Sequence, residues 1–92
     1  MANTNRFQHD PDAVIDYTID WSSWLADGET ISASEWDVPT GLTEVSEAET
    51  STETTVRISG GTAGESYTVT NHVATSTGQE DDRSLYLTVR ER

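Results

Sequence analysis

Carboxylates are the most numerous side chains in this sequence that could do chemistry. The chain has 17 acidic residues, two histidines and no cysteine in 92 residues. A carboxylate pair serves as general acid and base when burial or a close partner shifts one pKa. The most concentrated acidic sets are Asp10/Asp12/Asp16, Glu44/Glu47/Glu49 and Glu80/Asp81/Asp82. Each set lies near the N-terminus, in a predicted turn or on the outward side of a predicted strand, where carboxylates stay solvated. We therefore predict no catalytic residues.

Other reactive groups and metal sites are not favoured either. Asp81 with Asp82 could share calcium or magnesium, which prefer oxygen ligands, but the spacing of an EF-hand is missing. Without cysteine there is no thiolate zinc site and no cysteine nucleophile. His9 and His72 have no sequence relation that brings them together, and no Gly-x-Ser-x-Gly motif is present. We predict a protein that is not an enzyme and has neither metal nor cofactor.

The charge of the chain limits its partners. Its formal net charge is −12, and all five basic residues are arginine. Such a chain repels nucleic acid and anionic membranes, so we predict neither as a partner. Two explanations of the acidic, lysine-free composition stay open. One is a salt-loving host, since the Debye length of ~3 Å at 1 M salt screens self-repulsion. The other is a GC-rich genome that favours arginine codons.

The sequence divides into a short arm and one domain. Residues 1–13 are polar, with Phe7 as the only bulky apolar ring, and we predict an N-terminal arm that a partner orders. Residues 14–92 are enough for one domain with one modest core. The predicted organisation is therefore an arm over residues 1–13 and a single domain over residues 14–92.

Short runs of alternating apolar and polar residues fill the predicted domain. In the first run, Ile15, Tyr17 and Ile19 share one face, which is typical of a half-buried strand. Six or seven such runs follow one another at roughly ten-residue spacing, are rich in Thr and Val, and are separated by turn residues. This pattern predicts an all-β fold, an immunoglobulin-like β-sandwich of six to seven antiparallel strands.

Three details of the sandwich can also be predicted. A change of parity around Ser34-Glu35 indicates a β-bulge. Residues 77–82 have the composition of a turn that leads into a closing strand over residues 85–89. Tyr67 follows a glycine-containing loop, where sandwiches of this type place a tyrosine that hydrogen-bonds back across the corner.

Three tryptophans are a high number for so small a chain, because each can bury ~150–250 Å². We assign Trp36 to the core and expect Trp24 to cover one end of the sandwich. For Trp21 a core position and a protein interface remain equally open. The candidate protein-interface residues of the chain are Phe7, His9, Asp10, Pro11, Trp21 and Trp24.

Several segments resemble a known family. Residues 7–25 read FQHDPDAVIDYTIDWSSWL, and residues 27–36 read DGETISASEW. Together with the segments at residues 56–71 and 83–92, they are similar to small tailed-phage virion proteins of the fibre–tail adaptor type. The most specific part is DYTIDWSSWL, at residues 16–25. The resemblance implies a non-enzymatic structural protein of the virion, an adaptor or decoration protein at the head, the head–tail junction or the tail fibre.

The resemblance also implies partners. They would be other virion proteins (capsid, connector, tail or fibre), bound by multiple copies of the chain in a symmetric assembly. We expect the arm to dock by strand addition or through Phe7, so that deleting residues 1–13 leaves a folded domain that no longer enters particles. The alternative is a carbohydrate- or surface-binding immunoglobulin-like module, in which Trp21 and Tyr86 are the only aromatic pair we can nominate for stacking on a sugar.

Overall fold

Seven β-strands make up most of residues 6–91, the part of the chain that the computed structural model describes. Polar and apolar residues alternate along most of them, as the sequence indicated. Within this part no helix is long and apolar enough to cross a membrane. The strands are β1 (Arg6–His9), β2 (Val14–Asp20), β3 (Ile31–Asp37), β4 (Leu42–Glu49), β5 (Glu53–Gly60), β6 (Ser66–Thr75) and β7 (Glu80–Val89).

The strands form two sheets that pack face to face. One sheet has the order β1-β7-β6-β3 and the other the order β2-β5-β4. The predicted all-β, immunoglobulin-like sandwich is confirmed, with one pair, β1 and β7, running parallel. Residues 1–5 of the predicted arm lie outside the described residues, and Arg6–His9 forms β1 of the larger sheet.

The core lies between the two sheets, where every second residue of the central strands points inward. Burying an aliphatic side chain of this size contributes roughly 1.5–3 kcal/mol, so these strands dominate the stability of the domain. The aliphatic core residues with at most 1 % of their surface exposed are Val56, Ile58, Val69, Val73, Leu85, Leu87 and Val89.

The predicted bulge exists at a different place. The register of β3 against β6 shifts between Ile31 and Ala33, not at Ser34-Glu35. Ile31 is buried and Trp36 packs against the core although five positions separate them, so one extra residue must lie between them. The parity of the sequence shows that a bulge is needed, but not which residue it displaces. A second shift, in β4 between Glu44 and Ser46, was not predicted.

The closing hairpin is longer than predicted. Glu80–Asp82, which we assigned to a turn, belong to β7 and pair with β6 residues from Ala74 to His72. Cross-strand pairing outweighs the low strand propensity of three consecutive acidic residues. The predicted tyrosine corner is confirmed, since the backbone N–H of Thr62 donates a hydrogen bond to the Tyr67 hydroxyl at 3.2 Å.

Candidate interaction surfaces

Trp21 belongs to a polar network inside the sandwich. Its indole N–H donates to Thr54 Oγ1 at 3.1 Å and to Asn71 Oδ1 at 3.2 Å. The Thr54 hydroxyl also donates to Asn71 Oδ1, at 2.6 Å. On its other side, Asn71 Nδ2 donates to Ser34 Oγ and to the backbone carbonyl of Glu35, both at 2.9 Å. These hydrogen bonds join β3, β5, β6 and the segment after β2. Asn71, at the centre of the network, is fully buried.

The environment of Trp21 decides between the two roles left open for it. The residue has no exposed surface. The Arg83 guanidinium lies 4.3 Å from its ring centroid, and the Trp24 ring packs edge-on at 5.2 Å. Trp21 therefore serves the core in this structure. The pair nominated for sugar stacking, Trp21 with Tyr86, lacks the exposed indole face that such stacking requires.

His9 is also buried, with 1 % of its surface exposed. Its Nδ1 hydrogen-bonds the Tyr17 hydroxyl at 2.7 Å, which links β1 to β2 across the sandwich. Its Nε2 has no hydrogen-bond partner within residues 6–91. Burial lowers the pKa of His9, and the charge of Asp10 opposes this shift only in part. A neutral imidazole tolerates one bare nitrogen, whereas an imidazolium would bury an unpaired N–H.

The other predicted interface residues keep accessible surface but do not form one site. Asp10 Oδ1 accepts the backbone N–H of Asp12 at 2.8 Å in the turn between β1 and β2, next to Pro11. Trp24 is partly buried against the core in the turn that follows β2. Since the seven residues of β2 span about 23 Å, Asp10 and Pro11 lie at the opposite end of the sandwich from Trp24.

A charged cluster that sequence reasoning missed surrounds His72 on the outer face of the larger sheet. His72 Nε2 contacts a Glu80 carboxylate oxygen at 2.8 Å, and Nδ1 contacts Asp82. Glu35 is paired with His72 in the neighbouring strand β3. Hydrogen bonds to Asp82 and Glu80 raise the pKa of His72 above its usual value. Extending the alternation of β7 back to residue 80 would have placed Glu80 and Asp82 on the outer face, but only the register with β6 brings them to His72. Within the described range, no group of three or more His, Asp and Glu side chains is arranged to hold a metal ion.

An acidic margin runs along β4, at the edge of the smaller sheet. Three glutamates of β4 pair with inward-facing residues of β5, so their carboxylates lie at the open side of the sandwich. They are Glu44, Glu47 and Glu49. All three are exposed. The pKa of Glu47 is raised by its partial burial, by a hydrogen bond with Glu44 and by the charges of Glu44, Glu49 and Glu35. We call the three glutamates of β4, together with Glu35 of the edge strand β3, the acidic margin.

An apolar margin lies at the opposite side, where β1 and β2 meet. Phe7, Val14 and Ile15 are 38 %, 56 % and 42 % exposed. The Phe7 ring packs on Tyr17 at a centroid distance of 5.2 Å. Only one other large hydrophobic residue of the described chain is as exposed, Val45 on β4. We call Phe7, Val14 and Ile15 the apolar margin.

Comparisons with known proteins agree with this architecture. The solution structure of the PKD domain from the KIAA 1837 protein superposes with a TM-score of 0.55 at 20 % sequence identity. The match covers 96 % of this chain and 80 % of that one, and it supports the immunoglobulin-like fold alone. No curated protein sequence matches the chain.

A family model identifies the chain more closely. The model, described as podophage GP4 fiber-tail adaptor protein gp77, matches residues 9–88. The matched range extends from the last residue of β1 almost to the end of β7. The resemblance predicted from the sequence is thereby confirmed. The chain belongs to the podophage GP4 fiber-tail adaptor family and is a structural component of the virion.

Proposed function

We propose that this virion protein is a non-enzymatic adaptor that joins a tail protein to a fibre protein. The observation that carries the proposal is the opposite character of the two margins of the sandwich. Exposed apolar side chains lie where β1 meets β2, and four glutamates lie where β3 meets β4. A rigid domain with two unlike margins can bind two different proteins at once.

The two margins favour different partner surfaces. Apolar side chains gain about 25 cal/mol for each Å² removed from water, so the apolar margin favours a partner that covers it. The acidic margin favours a partner with arginine or lysine side chains, because the charges of Glu44, Glu49 and Glu35 act on Glu47 and a cation would offset them. The net charge of −12 supports protein partners over nucleic acid or anionic membranes.

We also propose that several copies act together in a symmetric part of the particle. Multivalent attachment raises the strength of binding without any new type of contact. Phe7, Asp10, Pro11 and Trp24 have surface available for contacts with neighbours. Residues 1–5 would extend such contacts. Deleting residues 1–5 keeps the buried His9, and we expect unchanged folding but reduced incorporation. Normal incorporation would remove the role of residues 1–5.

Site-specific cross-linking on intact particles tests the adaptor role. The native chain has no cysteine, so one cysteine can be introduced at a time and labelled with a photo-cross-linker. Val14→Cys places the label at the apolar margin, Glu44→Cys places it at the acidic margin, and Ser76→Cys in the β6–β7 turn is the control. We expect the two margins to label different virion proteins. Absence of the chain from purified particles, or labelling of one and the same protein from both margins, would contradict the proposal.

A further inference from the structure

Four strands border the two sheets, and three of them have features that discourage further pairing. β1 has only four residues. β3 has a bulge between Ile31 and Ala33, and β4 has both a bulge and exposed glutamates. Short length, bulges and charges are the usual means by which proteins protect free sheet edges.

β2 is the exception among these edge strands. Its seven residues pair with β5 in an unbroken register from Val14 opposite Ser59 to Asp20 opposite Glu53. The strand contains neither a bulge, a lysine nor a proline, and no neighbouring strand in the described residues pairs with its other side. Its two charged residues, Asp16 and Asp20, lie on the outer face, and Arg57 forms an ion pair with Asp16 at 2.7 Å. The alternate N–H and C=O groups that point away from β5 form a regular template for one more strand. At the end of β2 the Asp20 carbonyl already accepts a hydrogen bond from Arg83 Nη1 at 3.2 Å, so the template is open from Val14 to Thr18.

Apolar side chains flank the start of this free edge on both faces of the sheet. Val14 points to the outer face and is 56 % exposed. Ile15 shares the inner face with Tyr17, against which the Phe7 ring packs. A strand added beside β2 would therefore bury apolar surface on both faces as well as completing backbone hydrogen bonds.

We infer that the free edge of β2 receives an extended segment of a different virion protein, which adds as a fourth strand to the β2-β5-β4 sheet. The inference rests on the proposed adaptor function. The segment would have apolar side chains next to Val14 and Ile15. Farther along, it would have neutral or basic side chains next to Asp16 and Asp20. Backbone pairing supplies affinity in this type of recognition, and alternate side chains supply specificity.

The charge pattern favours a different protein over a second copy of this chain. Antiparallel pairing of two β2 strands about Thr18 would place Asp16 of each strand opposite Asp20 of the other. Like charges directly opposite each other destabilise a sheet. Each copy also carries a net charge of −12, which opposes self-association.

Peptide binding to the full-length chain tests the inference. The probes are overlapping 15-residue peptides that span the tail and fibre proteins of the same virus. We expect at least one peptide to bind and to slow hydrogen exchange at least tenfold at alternate β2 amides, without slowing exchange in β4. Failure of every peptide to slow exchange in β2 would overturn the inference, as would a β2-paired homodimer in solution.

Two matched variants sharpen the result. Val14→Lys puts a charge beside the free edge of β2, and Val45→Lys makes the same change on β4 at 50 % exposure. We expect Val14→Lys to weaken peptide binding at least tenfold and Val45→Lys to leave it unchanged, with equal melting temperatures. Equal peptide affinities would overturn the inference. Cross-linking in particles reports whether the two margins contact different proteins, whereas slowed exchange of β2 amides reports strand addition, so the adaptor proposal can stand when this inference fails.

Discussion

Hydrogen bonds of single buried residues hold the interior of the sandwich together, and the Asn71 side chain makes four of them. Its side chain accepts two hydrogen bonds and donates two. Asn71→Ala would remove the acceptor that the Trp21 indole N–H and the Thr54 hydroxyl share, and the donor that the Glu35 carbonyl accepts from. We expect a loss of about 2–4 kcal/mol in the free energy of unfolding, measured by urea denaturation.

An exposed hydroxyl pair provides the control for this experiment. Thr18 Oγ1 and Thr55 Oγ1 lie 2.9 Å apart on the outer face of the smaller sheet. Thr18→Ala should change the free energy of unfolding by less than about 0.5–1 kcal/mol, because water replaces the lost partner. Similar losses for Thr18→Ala and Asn71→Ala would show that the buried network is not special.

The two histidines should titrate in opposite directions from the ordinary value of 6.5. The pKa of His72 is raised by Asp82 and Glu80, so its stabilising contribution is complete below pH 6.5 and is lost as the pH rises through its folded pKa. The pKa of His9 is lowered by burial, so its contribution is present above pH 6.5 and is lost as the pH falls through its folded pKa.

NMR titration of the two imidazoles measures these shifts directly. We expect His72 to titrate above 6.5 and His9 below it. In Asp82→Asn the His72 titration should move towards 6.5 while that of His9 stays in place. A His9 imidazole that titrates at or above 6.5 would contradict its burial against Tyr17.

At the scale of elements, β4 shows how a strand can be held by one neighbour while its side chains repel one another. The pKa of Glu47 is raised, so the folded state disfavours its ionised form and loses stability as the pH rises above 4.5. Glu47→Gln should therefore stabilise the protein at pH 7. Because the glutamate is largely exposed, solvent screening limits the gain to about 0.5 kcal/mol.

Thermal unfolding at low and high salt checks this expectation. The gain from Glu47→Gln should shrink as added salt screens the neighbouring carboxylates. Glu65→Gln removes one negative charge from the loop before β6, away from the acidic margin, and is the control. A gain as large for Glu65→Gln as for Glu47→Gln would show that net charge, not the arrangement along β4, decides the effect.

At the scale of the whole molecule, the excess of negative charge makes stability depend on salt. The sequence has seventeen acidic residues and five arginines. Among the described arginines, only Arg57 forms an ion pair with a carboxylate, that of Asp16 at 2.7 Å. Self-repulsion on this scale falls as the Debye length shortens. We expect the melting temperature of the full chain to rise between low and multimolar salt. A melting temperature that does not rise would remove the hypothesis of a salt-loving host.

Local patterns in the sequence were enough to predict the all-β sandwich and the course of most strands, whereas the family was predicted from the resemblance of whole segments. Alternation with period two is a property of neighbouring residues, so it suffices to place Tyr17 and Ile19 on the core-facing side of their strand. Tyr67 could be assigned to the corner because the glycine-containing loop precedes it directly. The excess of carboxylates likewise follows from composition, and it indicates which partners the surface disfavours.

Strand pairing determined what the sequence left open. Trp21 could serve the core or an interface until the network around Asn71 placed it inside. His72 has carboxylate partners only because β7 begins at Glu80 and pairs with β6 in one particular register. The apolar and acidic margins likewise exist because distant strands, β1 with β2 and β3 with β4, border the same sides of the sandwich. Register and sheet order depend on contacts between residues far apart in the chain, and local alternation carries no information about them.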